Sequence, residues 1–308
     1  MTGAPIPVEA PATTSGRSRA AAARRGPSLG RGVLHLSLLA LMFIWAIPTI
    51  ALLVASFRPA AATNTSGWWT AITPPWEFTL NNYEYVLGRA GIDQAFLNSF
   101  IITIPATVLV VMIAAFAAYA FAWMDFPGRQ VLFVVVVGLL VVPLQITLIP
   151  VLSFFRDFQP LGFKINGTML AVWLAHTGYG LPFAVYLLRN YFGSLPREVF
   201  ESAAIDGASP STAFFRLALP MSVPALASLV IFQFLWVWND LLVALVYLGP
   251  VPQNHPLSVV LANLTTSFGG GWQFLTAAAF ISMIVPIIVF LSLQRYFVRG
   301  ITGGAVKG

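Results

Sequence analysis

Six long apolar runs, separated by shorter polar stretches, dominate the pattern of this chain. They cover about 33–57, 96–124, 130–152, 167–192, 222–248 and 273–297. A helix needs about 20 apolar residues to cross the hydrocarbon layer of a bilayer, and each run reaches that length. The pattern therefore predicts an all-α, polytopic membrane protein with six transmembrane helices.

Polar segments flank and connect these runs. Residues 1–32 are rich in Ala, Pro, Ser, Thr and Arg, a composition typical of a disordered tail. The run 33–57 is longer than the roughly 7–15 apolar residues of a signal-peptide core, so we interpret it as a retained first transmembrane helix. The segment 58–95 contains three tryptophans, which favour a membrane interface. We interpret 58–95 as an extracytoplasmic loop with one short surface helix at 81–87, 96–297 as a five-helix core and 298–308 as a C-terminal tail.

Most of the predicted spans contain an interior proline. Membrane helices tolerate proline because neighbouring helices can satisfy the carbonyl group that it leaves free. We expect kinks at five positions: Pro48, Pro105, Pro143, Pro182 and Pro286. Kinked helices can line a pore, and helix packing alone is an equally good explanation for them.

The composition supports a membrane protein and excludes several kinds of site. The chain is 58% hydrophobic and 8% charged, whereas soluble domains are about half apolar and about a quarter charged. The sequence contains no cysteine, which excludes disulfides, thiol nucleophiles and cysteine metal sites. The three histidines are far apart in sequence and show no metal-ligand spacing. We attribute the net charge of +6 to a basic cytoplasmic face rather than to binding of nucleic acid.

The distribution of basic residues predicts the orientation of the chain. With the N-terminus in the cytoplasm, the outer segments hold only four basic residues: Arg58, Arg89, Arg156 and Lys164. The cytoplasmic segments hold the other 12 of the 16. Cytoplasmic loops of membrane proteins are enriched in Lys and Arg. We therefore expect a multi-pass protein of the plasma (inner) membrane with both termini in the cytoplasm.

One polar island, the run E-S-A-A-I-D-G-A-S-P-S-T-A-F-F-R-L-A-L-P at 201–220, separates the fourth and fifth apolar runs. Local rules predict two short helices, with Pro196 opening the first and Gly207 ending it in the left-handed conformation. Ser209 then caps the second helix. Phe214 and Phe215 are expected to project as apolar knobs that dock into a groove on a soluble partner.

The island resembles the EAA loop of ABC importer permeases, in which E-A-A is followed three residues later by G and further on by L-P. The matching positions are Glu201, Ala203, Asp206, Gly207, Ala208, Phe214, Leu219 and Pro220, whereas Ser202 replaces the usual alanine. The resemblance implies a type I ABC importer transmembrane domain. It also implies that these residues couple the permease to an ATPase through a cytoplasmic loop at 193–221.

Weaker motifs extend the resemblance toward carbohydrate permeases of the maltose-transporter kind. They are Asn98-Ser99, Leu181-Pro182-Phe183, Trp238-Asn239-Asp240 and the C-terminal run 303–308. This similarity implies a sugar substrate, a second, similar permease subunit, two ATP-binding subunits at the cytoplasmic face and an extracytoplasmic solute-binding protein. It also implies that ATP and Mg bind to the ATPase subunits and that this chain holds no cofactor.

Asp240 lies inside a predicted span, where a carboxylate must face the bundle interior or water. It is therefore the acidic residue that we expect in the substrate pathway. On a continuous helix, Trp236, Asn239 and Asp240 share one face with Val243. Aromatic rings, an amide and a carboxylate together suit a sugar. A helix-packing network of Asn239 and Asp240 is the alternative, and His176 and Gln145 are weaker candidates.

No enzymatic constellation occurs in the sequence. The phosphate-binding pattern G-x-x-x-x-G-K-[ST] is absent, so this chain is not the ATPase itself, and the glycine run 269–271 is better explained as a flexible connection. An ion-coupled secondary transporter, with Asp240 and His176 as a proton relay, is the alternative function. That alternative leaves the island around Glu201 without a purpose, and the sequence shows no convincing internal repeat of the kind typical of such transporters.

Overall fold

The computed structural model describes residues 29–89, 91–158, 162–264 and 270–305, and helices make up most of this part of the chain. In chain order they are α1 (Leu29–Ser56), α2 (Ala60–Thr65), α3 (Asn81–Arg89), α4 (Ile92–Trp123), α5 (Arg129–Gly138), α6 (Leu144–Asp157), α7 (Met169–Phe192), α8 (Arg197–Ile205), α9 (Pro210–Ala213), α10 (Leu219–Met221), α11 (Val223–Trp238), α12 (Leu242–Leu248), α13 (Leu257–Ala262) and α14 (Trp272–Ala305). The described ranges contain no β-strand, so the all-α prediction is confirmed.

The chain divides into two units, and the first ends at Thr49. Its described part is most of helix α1, whose side chains are largely exposed although the helix is apolar all round. Such a helix suits lipid surroundings. Helix α1 covers nearly all of the first predicted span at 33–57. Of the predicted tail at 1–32, only residues 29–32 are described, and they belong to the helix.

Helices α4 and α7 form the centre of the second unit, where they pack along each other. Small side chains line the two buried clusters that these helices share: Ala106, Ala114, Ala118, Ala171, Ala175 and Ala184. Small residues allow helix backbones to approach closely in a membrane, where dispersion contacts replace the hydrophobic effect as the driving force. Helix α11 packs on α4 and on α14. The four helices α4, α7, α11 and α14 thus form the frame that holds the sites described below.

The third predicted span, 130–152, is wrong as one helix, although the break lies at Pro143, where the sequence predicted a kink. The chain turns by 106° between Arg129–Val141 and Leu144–Asp157. Val142 has an extended conformation, with ψ of 114°, because the ring of Pro143 disfavours a helical conformation at the residue before it. The other four prolines that were expected to kink spans remain inside continuous helices: Pro48, Pro105, Pro182 and Pro286.

The fifth predicted span, 222–248, is also wrong as one helix. Helix α11 ends at Trp238, and α12 begins at Leu242 after a short break. A second bend, of 74°, separates Pro210–Met221 from α11. Within the described ranges, four helices are long and apolar enough to cross a membrane: α1, α4, α7 and α14. The number rises to six if each bent pair counts as one span. This structure agrees with the multiple membrane crossings that the sequence predicts.

The segment 58–95 is more ordered than a simple loop. The short surface helix expected at 81–87 is α3, while α2 and a 3-10 turn at Trp68–Ile72 were not predicted. The buried guanidinium of Arg58 holds this region together, since its Nη1 donates to the carbonyls of Ser66 (3.1 Å) and Gly67 (3.0 Å). At the other end, α14 continues to Ala305, so the predicted tail at 298–308 is helical over most of its length.

Candidate functional site

The turn at Gly207 gives the 193–221 segment its shape. Gly207 ends helix α8 with a φ of 80°, in the left-handed conformation. Its N–H donates to the carbonyl of Ala204 (3.0 Å), and the N–H of Ala208 donates to the carbonyl of Ala203 (2.9 Å). This pair of bonds is a Schellman motif, which satisfies the last carbonyls of the helix. The small residues of the motif thus supply the backbone groups that close the turn.

The flanks of this turn agree with the sequence prediction, with one shift. The hydroxyl of Ser209 accepts a hydrogen bond from the N–H of Thr212 (3.2 Å) and caps α9, in which Pro210 is the first residue. Pro196 precedes α8 as its N-cap rather than being its first helical residue. Helix α8 therefore begins one residue later than predicted.

Two aromatic residues anchor α8 to the ends of the long helices. The ring of Phe200 stacks on Trp123, the last residue of α4, with centroids 3.9 Å apart and planes 20° apart. The indole Nε1 of Trp123 also donates to the carbonyl of Phe192, the last residue of α7 (3.0 Å). These two contacts tie α8 to the ends of α4 and α7.

Phe214 does not project from the surface, which corrects the prediction that both phenylalanines are exposed knobs. Its side chain is 3% exposed and packs against Phe116 and Tyr119, with centroid distances of 4.8 and 5.1 Å. Phe215 is 56% exposed. Successive side chains on a helix point roughly 100° apart, so when one of this pair faces the core the other faces outward.

The outward surface of the segment carries small residues, charged side chains and two large apolar side chains that are more than half exposed, Ile205 and Phe215. Ile205 is 86% exposed, which makes it the apolar knob that sequence reasoning missed. Its signal in the sequence was an isoleucine among otherwise small and polar residues. Glu201 and Asp206 are also exposed, and within the described residues neither carboxylate has an ion-pair partner. A partner can therefore contact both charge and apolar surface here.

Leu219 and Pro220 lie at the end of the segment. They form the short helix α10, with Leu219 partly buried and Pro220 exposed. Ser222 follows with φ −103° and ψ 10°, and the chain bends there before α11 begins. These two motif residues thus set the direction in which the segment enters α11.

The break between α11 and α12 brings together the residues predicted for the substrate pathway. The side-chain amide of Asn239 donates to the carbonyl of Leu235 (2.8 Å). The carboxylate of Asp240 accepts from the N–H groups of Val243 (3.0 Å) and Ala244 (3.2 Å). The acidic group is thus satisfied at the N-terminus of α12, where the helix dipole favours negative charge.

Because the helix stops at Trp238, the shared face predicted for positions 236, 239, 240 and 243 does not exist. Val243 is fully buried, while Asn239 is exposed. Trp238 is buried against Phe96, Phe100 and Phe234 and serves packing. The physical reason is local, since the polar side chains of Asn239 and Asp240 compete for backbone groups and end one helix and begin another.

His176 of α7 faces Asp240 across this break. Its ring is buried, with Nε2 3.6 Å from the Asp240 Oδ2 atom, beyond hydrogen-bonding distance. The Trp236 indole lies nearby, with ring centroids 5.3 Å apart and the two ring planes nearly perpendicular. Neither ring nitrogen of His176 has a hydrogen-bond partner among the described residues. The sequence singled out His176 only weakly, and the structure places it directly beside Asp240.

A cleft of about 540 Å³ lies beside Trp236, between the bent α5–α6 pair and α7. Its walls are mainly apolar, and two hydroxyl groups, those of Thr147 and Tyr179, face each other at 3.1 Å. Tyr179 in turn lies 2.7 Å from the hydroxyl of Tyr247. An indole face beside hydroxyl groups can contact both the apolar and the polar sides of a small polyhydroxylated molecule.

Comparison with known proteins shows the relationship directly. The family described as "Binding-protein-dependent transport system inner membrane component" matches residues 110–303. The chain belongs to this family. It is a permease subunit of an ABC importer and not an enzyme, which confirms the family that the sequence suggested and supports this function over the ion-coupled alternative.

Two permeases illustrate the similarity in sequence. The chain is 56% identical over 277 residues to the osmoprotective compounds uptake permease protein GgtD of Synechocystis, which covers 89% of this chain and 91% of GgtD. It is 57% identical over 239 residues to the alpha-glucoside transport system permease protein AglG of Rhizobium meliloti. That match covers 78% of this chain and 63% of AglG.

A solved structure supports the fold. The crystal structure of a bacterial ABC transporter involved in the import of the acidic polysaccharide alginate contains a chain that superposes with a TM-score of 0.70. The two chains are 22% identical, and the match covers 86% of this chain and 96% of the other. At that identity the likeness concerns the fold, which is that of a type I importer permease.

Proposed function

We propose that this permease subunit imports a sugar or small oligosaccharide, driven by ATP hydrolysis on separate subunits. The observation that carries the substrate class is the 57% identity to AglG, whose name assigns it alpha-glucosides. The cleft beside Trp236, with its indole and hydroxyl groups, has the chemistry that such a substrate needs. An alpha-glucoside disaccharide is therefore the first substrate to test.

The 193–221 segment is the proposed site of contact with the ATP-binding subunits. Its turn is closed by backbone bonds at Gly207, its outward face carries Ile205, and its rigid seat on Trp123 can pass a displacement to the long helices. ATP and Mg bind to those partner subunits, and no cofactor binds to this chain. The segment then faces the cytoplasm, as do both termini, in agreement with the excess of basic residues on that side.

The other proposed partners are inferred from the family and from the apolar helix faces that this chain leaves exposed. A second, similar permease subunit covers the exposed apolar faces that surrounding lipid does not cover. Two ATP-binding subunits bind at the cytoplasmic face, and an extracytoplasmic solute-binding protein delivers the substrate. The family's description as binding-protein-dependent supports the last of these partners.

The proposed substrate pathway passes the break between α11 and α12. Trp236 is 37% exposed and lines the cleft, and Asn239, three residues further along the chain, is exposed. Asp240 is more enclosed, because its carboxylate caps α12. We assign direct sugar contact to Trp236 and Asn239, and to Asp240 a contact through the part of its carboxylate that remains accessible.

The test is uptake by the complete importer reconstituted in proteoliposomes with its solute-binding protein. We expect a radiolabelled alpha-glucoside disaccharide to accumulate only when Mg-ATP is present on the ATPase side. A protonophore should leave the initial rate unchanged. Uptake that follows a proton or sodium gradient without ATP would contradict the importer mechanism. ATP-driven uptake of other solutes, with no carbohydrate accepted, would contradict the substrate class alone.

A further inference from the structure

Helices α7 and α11 are the two long helices that flank the 193–221 segment in the chain. Helix α7 ends at Phe192, and α11 begins at Val223. A displacement of the segment therefore acts on the ends of both helices at once. The other ends of α7 and α11 then move together only if a contact connects them there.

His176 and Asp240 stand at matching depths along these two helices. At 1.5 Å rise per residue, His176 lies roughly 24 Å from the end of α7 and Asp240 roughly 26 Å from the start of α11. They face each other there, with His176 Nε2 3.6 Å from Asp240 Oδ2. The two side chains thus face each other near the ends of the two helices that are remote from the 193–221 segment.

Asp240 and His176 differ in how many hydrogen bonds their polar atoms make. Asp240 is fixed, since its carboxylate accepts from two N–H groups of α12 and its carbonyl accepts from the hydroxyl of Ser258 (2.5 Å). His176 is buried and has no hydrogen-bond partner among the described residues. A buried, unsatisfied imidazole costs free energy that a hydrogen bond would recover. Hydrogen bonds from N–H to oxygen measure about 2.7–3.2 Å, so a shift of less than about 1 Å closes the contact.

We propose that the His176–Asp240 pair is a positioning contact that is open in this conformation and closes as a hydrogen bond in another state of the transport cycle. Closing joins α7 to the break between α11 and α12. Because Asp240 caps α12 and Trp236 lies against the His176 ring, the contact sets the position of both the start of α12 and the wall of the cleft. This inference rests on the proposed function of the 193–221 segment as the site of ATPase contact.

The experiment measures moles of sugar transported per mole of ATP hydrolysed by the complete reconstituted importer. His176→Leu removes the donor, and Asp240→Ser keeps a helix-capping oxygen but is too short to reach His176. Each should lower this ratio by about tenfold, the change expected for one hydrogen bond to a charged group. His176→Gln keeps an N–H of similar reach and should retain most of the ratio.

Thr177→Val is the matched control. Thr177 is the next residue on α7 and is also buried. Among the described residues its hydroxyl bonds only within its own helix, to the Trp173 carbonyl (2.7 Å). This variant should transport as much sugar per ATP hydrolysed as the wild type does. A purely structural role of His176 would lower the yield and melting temperature of the complex without changing the ratio of sugar to ATP.

The double variant supplies the decisive comparison. If the two residues act through each other, His176→Leu with Asp240→Ser should be no worse than either single variant. Additive losses, or a wild-type ratio in folded His176→Leu, would overturn the proposal. If the His176→Leu complex does not assemble, a comparison of Asp240→Ser with Thr177→Val provides the same test. If the wild-type complex shows no ATP-driven uptake, that result would instead refute the proposed function itself.

Discussion

The indole of Trp123 lies face to face with the ring of Phe200, with centroids 3.9 Å apart. Because Trp123 also donates to the Phe192 carbonyl, the ends of α4 and α7 and the middle of α8 meet at one aromatic contact. The 193–221 segment is therefore not a free loop between two spans. It is seated on the two helices that form the centre of the permease.

Removing the aromatic ring of Phe200 should loosen this seat. Phe200→Ala should destabilise the fold by about 3–5 kcal/mol, the usual cost of truncating a buried aromatic side chain. It should also reduce ATP-driven uptake by more than the loss of folded protein explains. Thermal unfolding in detergent and uptake per folded molecule measure the two effects. Val199→Ala, at the exposed neighbouring position, serves as the control and should change neither.

Gly207 tests whether backbone conformation alone makes the turn. A Cβ atom at this position would meet no other atom within 4 Å, so any effect of a substitution comes from φ. Gly207→Val should cost roughly 1–2 kcal/mol and disrupt uptake, whereas Gly207→Asn should be tolerated because asparagine adopts the left-handed conformation readily. Uptake and membrane abundance of the two variants decide the matter. Equal behaviour of Val and Asn would argue against a conformational role.

Ile205 and Phe214 should respond in opposite ways. Ile205→Ser changes an exposed side chain, so the chain should fold normally while co-purification of the ATP-binding subunits falls. Phe214→Ala opens a cavity in the core and should lower the unfolding temperature, at a cost of about 3–5 kcal/mol. Pull-down yield and melting temperature, measured on the same preparations, separate the two. Normal ATPase binding by Ile205→Ser would remove this residue from the contact surface.

The two tryptophans at the end of α11 provide a similar contrast. Trp236 lines the cleft and is partly exposed, whereas Trp238 packs against three phenylalanines. Trp236→Ala should raise the substrate concentration needed for half-maximal uptake with little loss of stability. Trp238→Ala should instead lower the yield of folded protein. If Trp236→Ala transports with unchanged kinetics, the cleft is not part of the pathway.

Orientation can be read from single cysteines, because the chain contains none of its own. Thr65 and Ser211 are both exposed, and they lie on opposite sides of the membrane in the proposed topology. In spheroplasts, Thr65→Cys should react with an impermeant thiol reagent, and Ser211→Cys should react only after permeabilisation. The reverse labelling pattern would invert the proposed topology.

The sequence by itself determined the class of the protein and the location of its most specific motif. Runs of apolar residues longer than a bilayer is thick allow few solutions other than helices, because every backbone group in lipid needs an internal partner. The turn at Gly207 and the cap at Ser209 were also predictable, since both depend on neighbouring residues. Four of the six spans, found in α1, α4, α7 and α14, therefore appear close to their predicted bounds.

Only the tertiary structure decided how far the chain turns at the other two spans and which side chains face the core. An apolar run shows the same hydropathy whether it is one helix or two. The kink at Pro143 was expected from the proline but its 106° angle was not, and the break at Asn239–Asp240 was not predicted. Phe214 and Phe215 are identical in chemistry, and only packing against Phe116 and Tyr119 determines that Phe214 is buried. The approach of His176 to Asp240 joins residues 64 positions apart in sequence (240 − 176), a contact that only the packing of α7 beside the α11–α12 break creates.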